Sequence, residues 1–479
     1  MLEVGAVVVV LGVAAASWLL RSGDPGLGPS LDAAIAREAA RLSLPDDPAS
    51  PDASVLVGQV LDRVRFPDFD EAGAEAIEAI HAMLSGRTPG VESLPGASAV
   101  LDGRLLESNA PALALLEEAV ALPRWRLPGE RDLAAAVAAF RERPEEGFLE
   151  SPLAGIPLME VTGLVVLRGL RERDRGNLGG AVEQVRLLLR LQDRMKGNPS
   201  GAGWAVRVSA DATRLAARIL EAPGLDEPAA RALLDAFTLP SEEAAAAVRR
   251  QDLSALGVLA RWRLFLDVDP SDGIERRMMD SLPKSLRWTP VLAAGPEEKN
   301  AVTRGYPPYW DLWEPCRKAT AADLAKVMAR LAEFRRLAGL PSAGAFSGYE
   351  ALEREAMPVP RGWNRPGDLP FTDSYEFEGR ALRESWLAVG RLGCAVRLHE
   401  IRTGSFPGTL EELVPGCLPS LPLDPLTGGT PKWLVHRGVG HVRTRTSPSR
   451  LPGGGDDGGT LYPWLELRPR TAPTPESDR

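Results

Sequence analysis

Cysteine and histidine are scarce in this chain: among 479 residues there are three cysteines and four histidines. So few cysteines cannot form a disulfide scaffold, and no two of them have the CxxC spacing of redox or zinc motifs. Cys394 and Cys417 could form one disulfide, which would leave Cys316 unpaired. The chain also lacks a GxSxG nucleophile elbow and a P-loop. These absences predict a protein that is not an enzyme.

Positive charge and aromatic residues are also in short supply. The chain has 56 Lys and Arg against 65 Asp and Glu, a net charge of −9. Nucleic-acid-binding surfaces need clustered Lys and Arg, so no nucleic-acid partner is predicted. Aromatic residues make up 6 % of the chain and crowd into the segment from Trp288 to Trp313. That segment is either a loop pinned to the rest of the chain or a platform for carbohydrate or peptide. The second reading supports an alternative function, an envelope hydrolase or carbohydrate-binding protein.

The N-terminus carries an unbroken apolar run from Val4 to Leu20. Seventeen residues span about 26 Å as a helix, enough for a thin bilayer core. Trp18 lies near one end, where indoles favour the membrane interface, and Arg21 follows the run. We predict a single transmembrane anchor over residues 1–21 and a linker over residues 22–30. A cleaved signal peptide is the alternative, although no basic residue precedes the run.

Residues 31–338 have the pattern of a helical domain. Apolar residues recur at helical spacing, and proline, glycine or capping residues separate the segments. Gly176 and Asn177 predict the turn of a helical hairpin, and Asn109 is a candidate N-cap. No repeat of tetratricopeptide length is present, so we predict an irregular helical bundle or an α-solenoid. The predicted helices are Asp32–Leu44, Glu71–Ser85, Ala110–Leu122, Leu133–Arg143, Val161–Arg173, Ala181–Met195, Ala205–Leu220, Glu227–Phe237, Glu242–Leu266 and Ala321–Ala338.

The last part of the chain is predicted to be a small α+β module. A Pro/Gly-rich linker over residues 339–375 precedes it, the module covers residues 376–468, and a disordered tail covers residues 469–479. A long helix is predicted from Phe377 to Thr403, followed by a capping box from Thr409 to Glu412 and a turn at Asp424. Short strands from an antiparallel sheet are predicted at Lys432–Arg437, His441–Thr446 and Thr460–Leu467, with Gly438–Gly440 joining the first two.

This module resembles the globular domain of type II secretion pseudopilins. The likeness is greatest to the globular domain of the major, G-type pseudopilin. The likeness covers about ninety residues and rests on a series of motifs in the order of that family. The motif residues are Gly404-Ser405-Phe406-Pro407, Leu410, Leu413-Val414-Pro415, Leu421-Pro422-Leu423-Asp424-Pro425 and Gly428.

The resemblance also implies a cation site. The segment Gly453 to Gly459 is similar to that family's Gly/Asp-rich loop, which helps to bind calcium. Calcium binds several hard oxygen ligands from flexible loops, so Asp456 and Asp457 are the predicted metal ligands. Calcium is the one cofactor that we consider. No other cofactor and no catalytic residue is predicted.

The layout departs from that of a pseudopilin, because some 350 residues separate the apolar run from the module and residues 1–10 contain no Gly-Phe processing site. The whole chain resembles uncharacterised bacterial membrane-anchored proteins with a helical middle. We therefore expect a non-catalytic envelope protein with protein partners, an interaction or assembly factor related to type II secretion or pilus-like systems. It is expected in the inner membrane as a single-pass protein with its bulk in the periplasm.

Overall fold

The computed structural model of the chain is mainly helical, with a small antiparallel sheet of three strands. It describes residues 24, 26–42, 53–64, 103–122, 155–196, 199–237, 319–356, 374–444 and 463–470, and single residues between 245 and 266. The elements are α1 (Leu27–Leu42), α2 (Ser54–Arg63), α3 (Arg104–Ala121), α4 (Gly155–Asp174), α5 (Leu178–Met195), α6 (Pro199–Leu220), α7 (Glu227–Ala236), α8 (Ala321–Ala338), α9 (Ser342–Ala356), α10 (Ser374–Thr403), a 3₁₀ turn (Leu410–Leu413), β1 (Lys432–His436), β2 (Val439–Arg443) and β3 (Trp464–Leu467).

The predicted helical hairpin is confirmed as α4 and α5. Gly176 has φ +76°, the left-handed conformation that a residue without Cβ adopts without strain. Asn177 then caps α5, because its side-chain oxygen accepts a hydrogen bond from the Gly180 amide at 3.1 Å. The Gly-Asn pair thus ends one helix and starts the next within two residues.

Helix α3 differs from its prediction at its N-terminus. It begins at Arg104, after Gly103 with φ +84°, and Asn109 lies inside it rather than at its cap. The buried Asn109 side chain donates a hydrogen bond to the Leu105 carbonyl at 2.8 Å. Pro111 is therefore an interior proline. Burial of the face that carries Leu105 and Leu113 extends the helix past the local cap signal, because packing outweighs local preferences.

Two segments predicted as linkers contain helix. Helix α1 starts at Leu27 within the predicted 22–30 linker, and Leu27 is buried. Helix α9 occupies part of the predicted 339–375 linker, and its Phe346 and Tyr349 pack in a small core with the start of α10. Proline and glycine mark the breaks between these helices and do not prevent them. Helix α8, in contrast, has the bounds predicted for it, Ala321–Ala338.

Helix α10 is the central element of the fold. From Ala381 to Glu400 none of its residues is exposed. It lies beside α6, since the Thr213 hydroxyl donates to the Trp386 carbonyl at 3.0 Å and Gly379 faces Val206. Both contacts join residues 173 positions apart, so the two helices run parallel. Gly404, with φ +80°, follows the end of α10 as predicted.

The three strands form a sheet in the order β1-β2-β3. The predicted strand bounds shift slightly, because the turn between β1 and β2 is Arg437-Gly438 and not Gly438–Gly440. Both turn residues have positive φ, 51° and 78°. That pair of values is typical of a two-residue type I′ turn, which matches the twist of the flanking strands. The inner face of the sheet packs on α10, where Leu465 lies against Gly393.

One hydrophobic core joins the helical body to the C-terminal module. Its buried residues come from α2 to α7 and also from α10, the 3₁₀ turn, β2 and β3. Val185 and Leu215 of the body and Val389, Leu413 and Val442 of the module belong to this single cluster. The core therefore crosses the boundary that the Pro/Gly-rich stretch suggests. Two smaller clusters lie around α8.

Among the helices that the structure describes, none has the length and apolar character to cross a membrane. The apolar run Val4–Leu20 and residues 471–479 of the predicted tail 469–479 lie outside the described residues. The predicted helices Glu71–Ser85 and Leu133–Arg143 lie outside them as well.

Candidate functional site

The motif residues between Gly404 and Gly428 hold the loop after α10 against the rest of the module. The Phe406 and Trp433 rings meet edge to face with centroids 5.7 Å apart. The Trp433 indole N–H donates to the Pro407 carbonyl at 2.9 Å, which ties β1 to the loop. Leu410 and Leu413 of the 3₁₀ turn are buried in the core, so this part of the motif has a structural role.

The capping box predicted at Thr409 is present. The Glu412 carboxylate accepts a hydrogen bond from the Thr409 amide at 3.1 Å and so satisfies an amide at the start of the 3₁₀ turn. Asp424 has the role of a turn cap that the sequence favours over metal binding. It is fully buried and accepts from the Leu426 amide at 3.1 Å and the Thr427 hydroxyl at 2.9 Å.

Asp424 also joins the loop to α10, because the Ser385 hydroxyl donates to its carboxylate at 2.8 Å. A second polar link lies at the other end of this helix. Arg397 forms a buried ion pair with Glu400 and donates to the Arg468 carbonyl at 2.7 Å, just past β3. The Glu400 carboxylate accepts from the Arg470 amide at 2.9 Å. These bonds satisfy buried charges and fix the chain after β3 to α10.

A group of charged side chains is buried where α6 meets α10. Asp211 is 1 % exposed, and burial raises its pKa to about 6 although Arg214 and Arg207 favour its ionised form. The Arg214 guanidinium carbon lies 5.1 Å from the centre of the Trp386 ring, a cation–π distance. We call Asp211, Arg214 and Trp386 the α6–α10 charge cluster. Arg383 is also fully buried on α10, and desolvation lowers its pKa to about 10 although Glu384 and Asp193 favour its charged form.

The α6–α10 charge cluster was not predicted from the sequence, although a signal for it is present. Asp211 is three residues after Val208 and four before Leu215, both of which are buried. A charged residue at that spacing lies on the apolar stripe of its helix. Such a residue must find buried partners or change its protonation, so this pattern indicates an internal ionic contact.

The two described cysteines are free thiols, so the disulfide considered between Cys394 and Cys417 is not formed. Both are buried, and burial raises the pKa of each thiol. A raised pKa disfavours the thiolate, which is the nucleophilic form. These two residues therefore act as small core side chains.

The remaining sequence-predicted candidates lie outside the described residues. They are the predicted calcium ligands Asp456 and Asp457 and the aromatic segment from Trp288 to Trp313. Among the described residues, no cluster of three or more His, Cys, Asp or Glu could hold a metal ion. Two carboxylates with the carbonyls of a glycine-rich loop are the kind of donors that Ca²⁺ takes, so calcium binding stays a prediction.

Comparisons of the chain with known protein families, curated proteins and solved structures gave no match.

Proposed function

We propose that the protein is a non-catalytic, membrane-tethered interaction or assembly protein of the bacterial envelope, related to type II secretion or pilus-like systems. The observation that carries the proposal is the position of α10. If the module is related to pseudopilins, α10 corresponds to their long helix. In this chain α10 is enclosed by other parts of the same chain, and none of its residues from Ala381 to Glu400 is exposed. A helix buried in this way has no free face for packing into a filament.

Two further features support this function. The motif residues Phe406, Leu410 and Asp424 are used in holding the module together, which favours a binding scaffold over a reactive site. The contact of α6 with α10, far apart in sequence, supports an irregular bundle over a solenoid, in which each repeat contacts only its neighbours. In this proposal the apolar run Val4–Leu20 anchors the chain in the inner membrane and the helical body lies in the periplasm.

Topology is tested with a reporter enzyme that is active only outside the inner membrane, fused after Arg479. We expect activity together with recovery of the chain in the membrane fraction, and a reporter that works only in the cytoplasm would contradict the proposed placement. For the assembly role, a photo-crosslinking residue replaces Leu423, which is 62 % exposed in the module. We expect crosslinks to pseudopilins or other secretion components.

The matched position for crosslinking is Val55, 50 % exposed on the helical body. Crosslinks from Leu423 that Val55 does not give would assign the contact to the module. Correct membrane placement without any crosslink to a secretion component would rule out the assembly role and leave the anchor intact.

A further inference from the structure

Positive charge is concentrated in the strand region of this acidic chain. Residues 431–470 contain seven Lys and Arg against three Asp and Glu, whereas the whole chain has a net charge of −9. An excess of one sign in a short segment creates a local potential opposite to that of the molecule, and such patches attract oppositely charged partners.

The sheet places several of these residues on one face. Alternation along the strands puts Val442 and Leu465 on the inner face against α10. The opposite face has Lys432 on β1 paired with Arg443 on β2, and Leu434 paired with His441. We call the outer face formed by Lys432, Leu434, His436, His441 and Arg443 the basic face.

One described carboxylate lies on the same side of the sheet as the basic face, because Glu466 of β3 is in register with His441, and it lies 4.0 Å from Arg468. Lys432 and Arg443 are exposed and directly opposite each other, an arrangement that is unfavourable for like charges. No described residue forms an ion pair with either of them. Exposed cations of the helical body are paired differently: Arg175 lies 3.3 Å from Glu172, and Lys326 lies 3.2 Å from Asp323.

Protection of a sheet edge does not account for the basic face. Charged side chains on edge strands prevent unwanted strand pairing, and this could explain Lys432 on β1. Arg443 and His441, however, lie on the central strand β2, which is paired on both sides. The positive charge of Arg443 is therefore not explained by protection of an edge.

An apolar side chain on the basic face and the chain length favour a lipid surface as the partner. Leu434 lies on this face beside Lys432 and Arg443, which suits a headgroup boundary. The apolar run ends at Leu20, and the Asp24 carboxylate already accepts a hydrogen bond from the Ala321 amide at 3.0 Å. Four residue steps span at most about 14 Å, so an anchor formed by this run would hold α8 at the bilayer.

We propose that the basic face docks on anionic phospholipid headgroups. Lys432 and Arg443 contact the phosphates, and Leu434 lies against the headgroup boundary. The proposal extends the proposed function, because a second contact with the membrane would orient a body that a single helix leaves free to rotate.

The test uses the full chain and vesicles of neutral phosphatidylcholine or of phosphatidylcholine with one-third phosphatidylglycerol. The measured quantity is the ratio of the partition coefficients for anionic and neutral vesicles, in which the contribution of an apolar anchor cancels. We expect a ratio well above one at low salt that falls as salt is added. The double variant K432Q/R443Q should lower the ratio by roughly fivefold for each charge removed.

Two matched variants complete the test. R175Q/K326Q removes the same number of charges from exposed positions of the helical body and should leave the ratio nearly unchanged. K432R/R443K keeps the charges and should preserve the ratio. A native ratio near one would overturn the proposal and make an acidic protein surface the partner of the basic face. Equal losses in K432Q/R443Q and R175Q/K326Q would overturn it too, since net charge alone would then explain binding. Failure of the anchor would instead lower binding to neutral vesicles.

Discussion

Asp211 shows how a single buried charge makes the stability of the fold depend on pH. Its folded-state pKa of about 6 lies above the ordinary value of 3.8, because burial outweighs the attraction of Arg214 and Arg207. The native chain therefore keeps a proton that the unfolded chain releases between about pH 4 and pH 6. Stability is lost as the pH rises through this interval, by about 3 kcal/mol on the scale of 1.4 kcal/mol per pKa unit.

The variant Asp211→Asn tests this linkage, because asparagine imitates the protonated carboxyl group. We expect it to be about 2 to 3 kcal/mol more stable than the native chain at pH 8 and nearly equal to it at pH 4. Urea unfolding at the two pH values measures the difference. Asp174→Asn, at a residue that is 55 % exposed, is the control and should not change the pH dependence. A variant less stable than the native chain at pH 8 would contradict the expectation.

Helix α10 depends on glycines where other elements approach it closely. A Cβ on Gly390 would lie 2.5 Å from the Phe237 ring, just after α7, and one on Gly393 would lie 3.0 Å from Leu465 of β3. Glycine weakens a helix interior, so its presence here is explained by packing and not by local preference. The absence of side chains at these two positions lets α7 and β3 meet the central helix.

The variant Gly390→Ala is expected to destabilise the fold by about 1 to 3 kcal/mol, because the ring of Phe237 cannot yield without disturbing the core. Gly379→Ala on the same helix is the matched variant, since its Cβ would lie 3.6 Å from Val206, an ordinary contact. It should stabilise the fold by about 0.5 to 1 kcal/mol through helix propensity. Thermal or urea unfolding measures the stability of both variants. A tight contact at Gly390 would lower the stability of Gly390→Ala alone, whereas a general effect of alanine would change the stability of both variants in the same direction.

At the scale of the whole molecule, the shared core couples the module to the helical body. Val389, Ala395 and Val442 lie in the same cluster as Val185 and Leu215. Removing either part exposes apolar surface that the other part covers, at a cost of about 25 cal/mol for each Å². The cooperative unit is therefore larger than the module.

We predict that residues 376–479 expressed alone do not fold, because the faces of α10 that contact α6 and α7 lose their partners. The expected result is poor dispersion of amide signals in NMR spectra together with aggregation. The full chain should unfold with the helical body and the module in one transition, monitored by circular dichroism and by intrinsic tryptophan fluorescence. A stable, well-dispersed module would contradict the coupling of the two parts.

The sequence alone was sufficient for features that depend on neighbouring residues. The predicted bounds of α8 are confirmed, and in the structure Thr320 caps this helix and Gly339 follows it. The α4–α5 turn follows from Gly176-Asn177. Helix ends and turns can be predicted in this way because their hydrogen bonds and φ values involve residues a few positions apart.

The tertiary structure decided which helices and strands contact each other. The parallel contact of α6 with α10, the burial of Asp211 and Arg383, and the single core shared by body and module join residues that are far apart in sequence. No local pattern records such contacts, because hydrophobic burial is non-directional and a given apolar stripe can pack against many partners. The sequence therefore determined most of the helices, the α4–α5 turn and the order of the module's motifs, but it did not predict α2 or α9. Only the fold decided that the long helix of this module is the enclosed centre of the molecule.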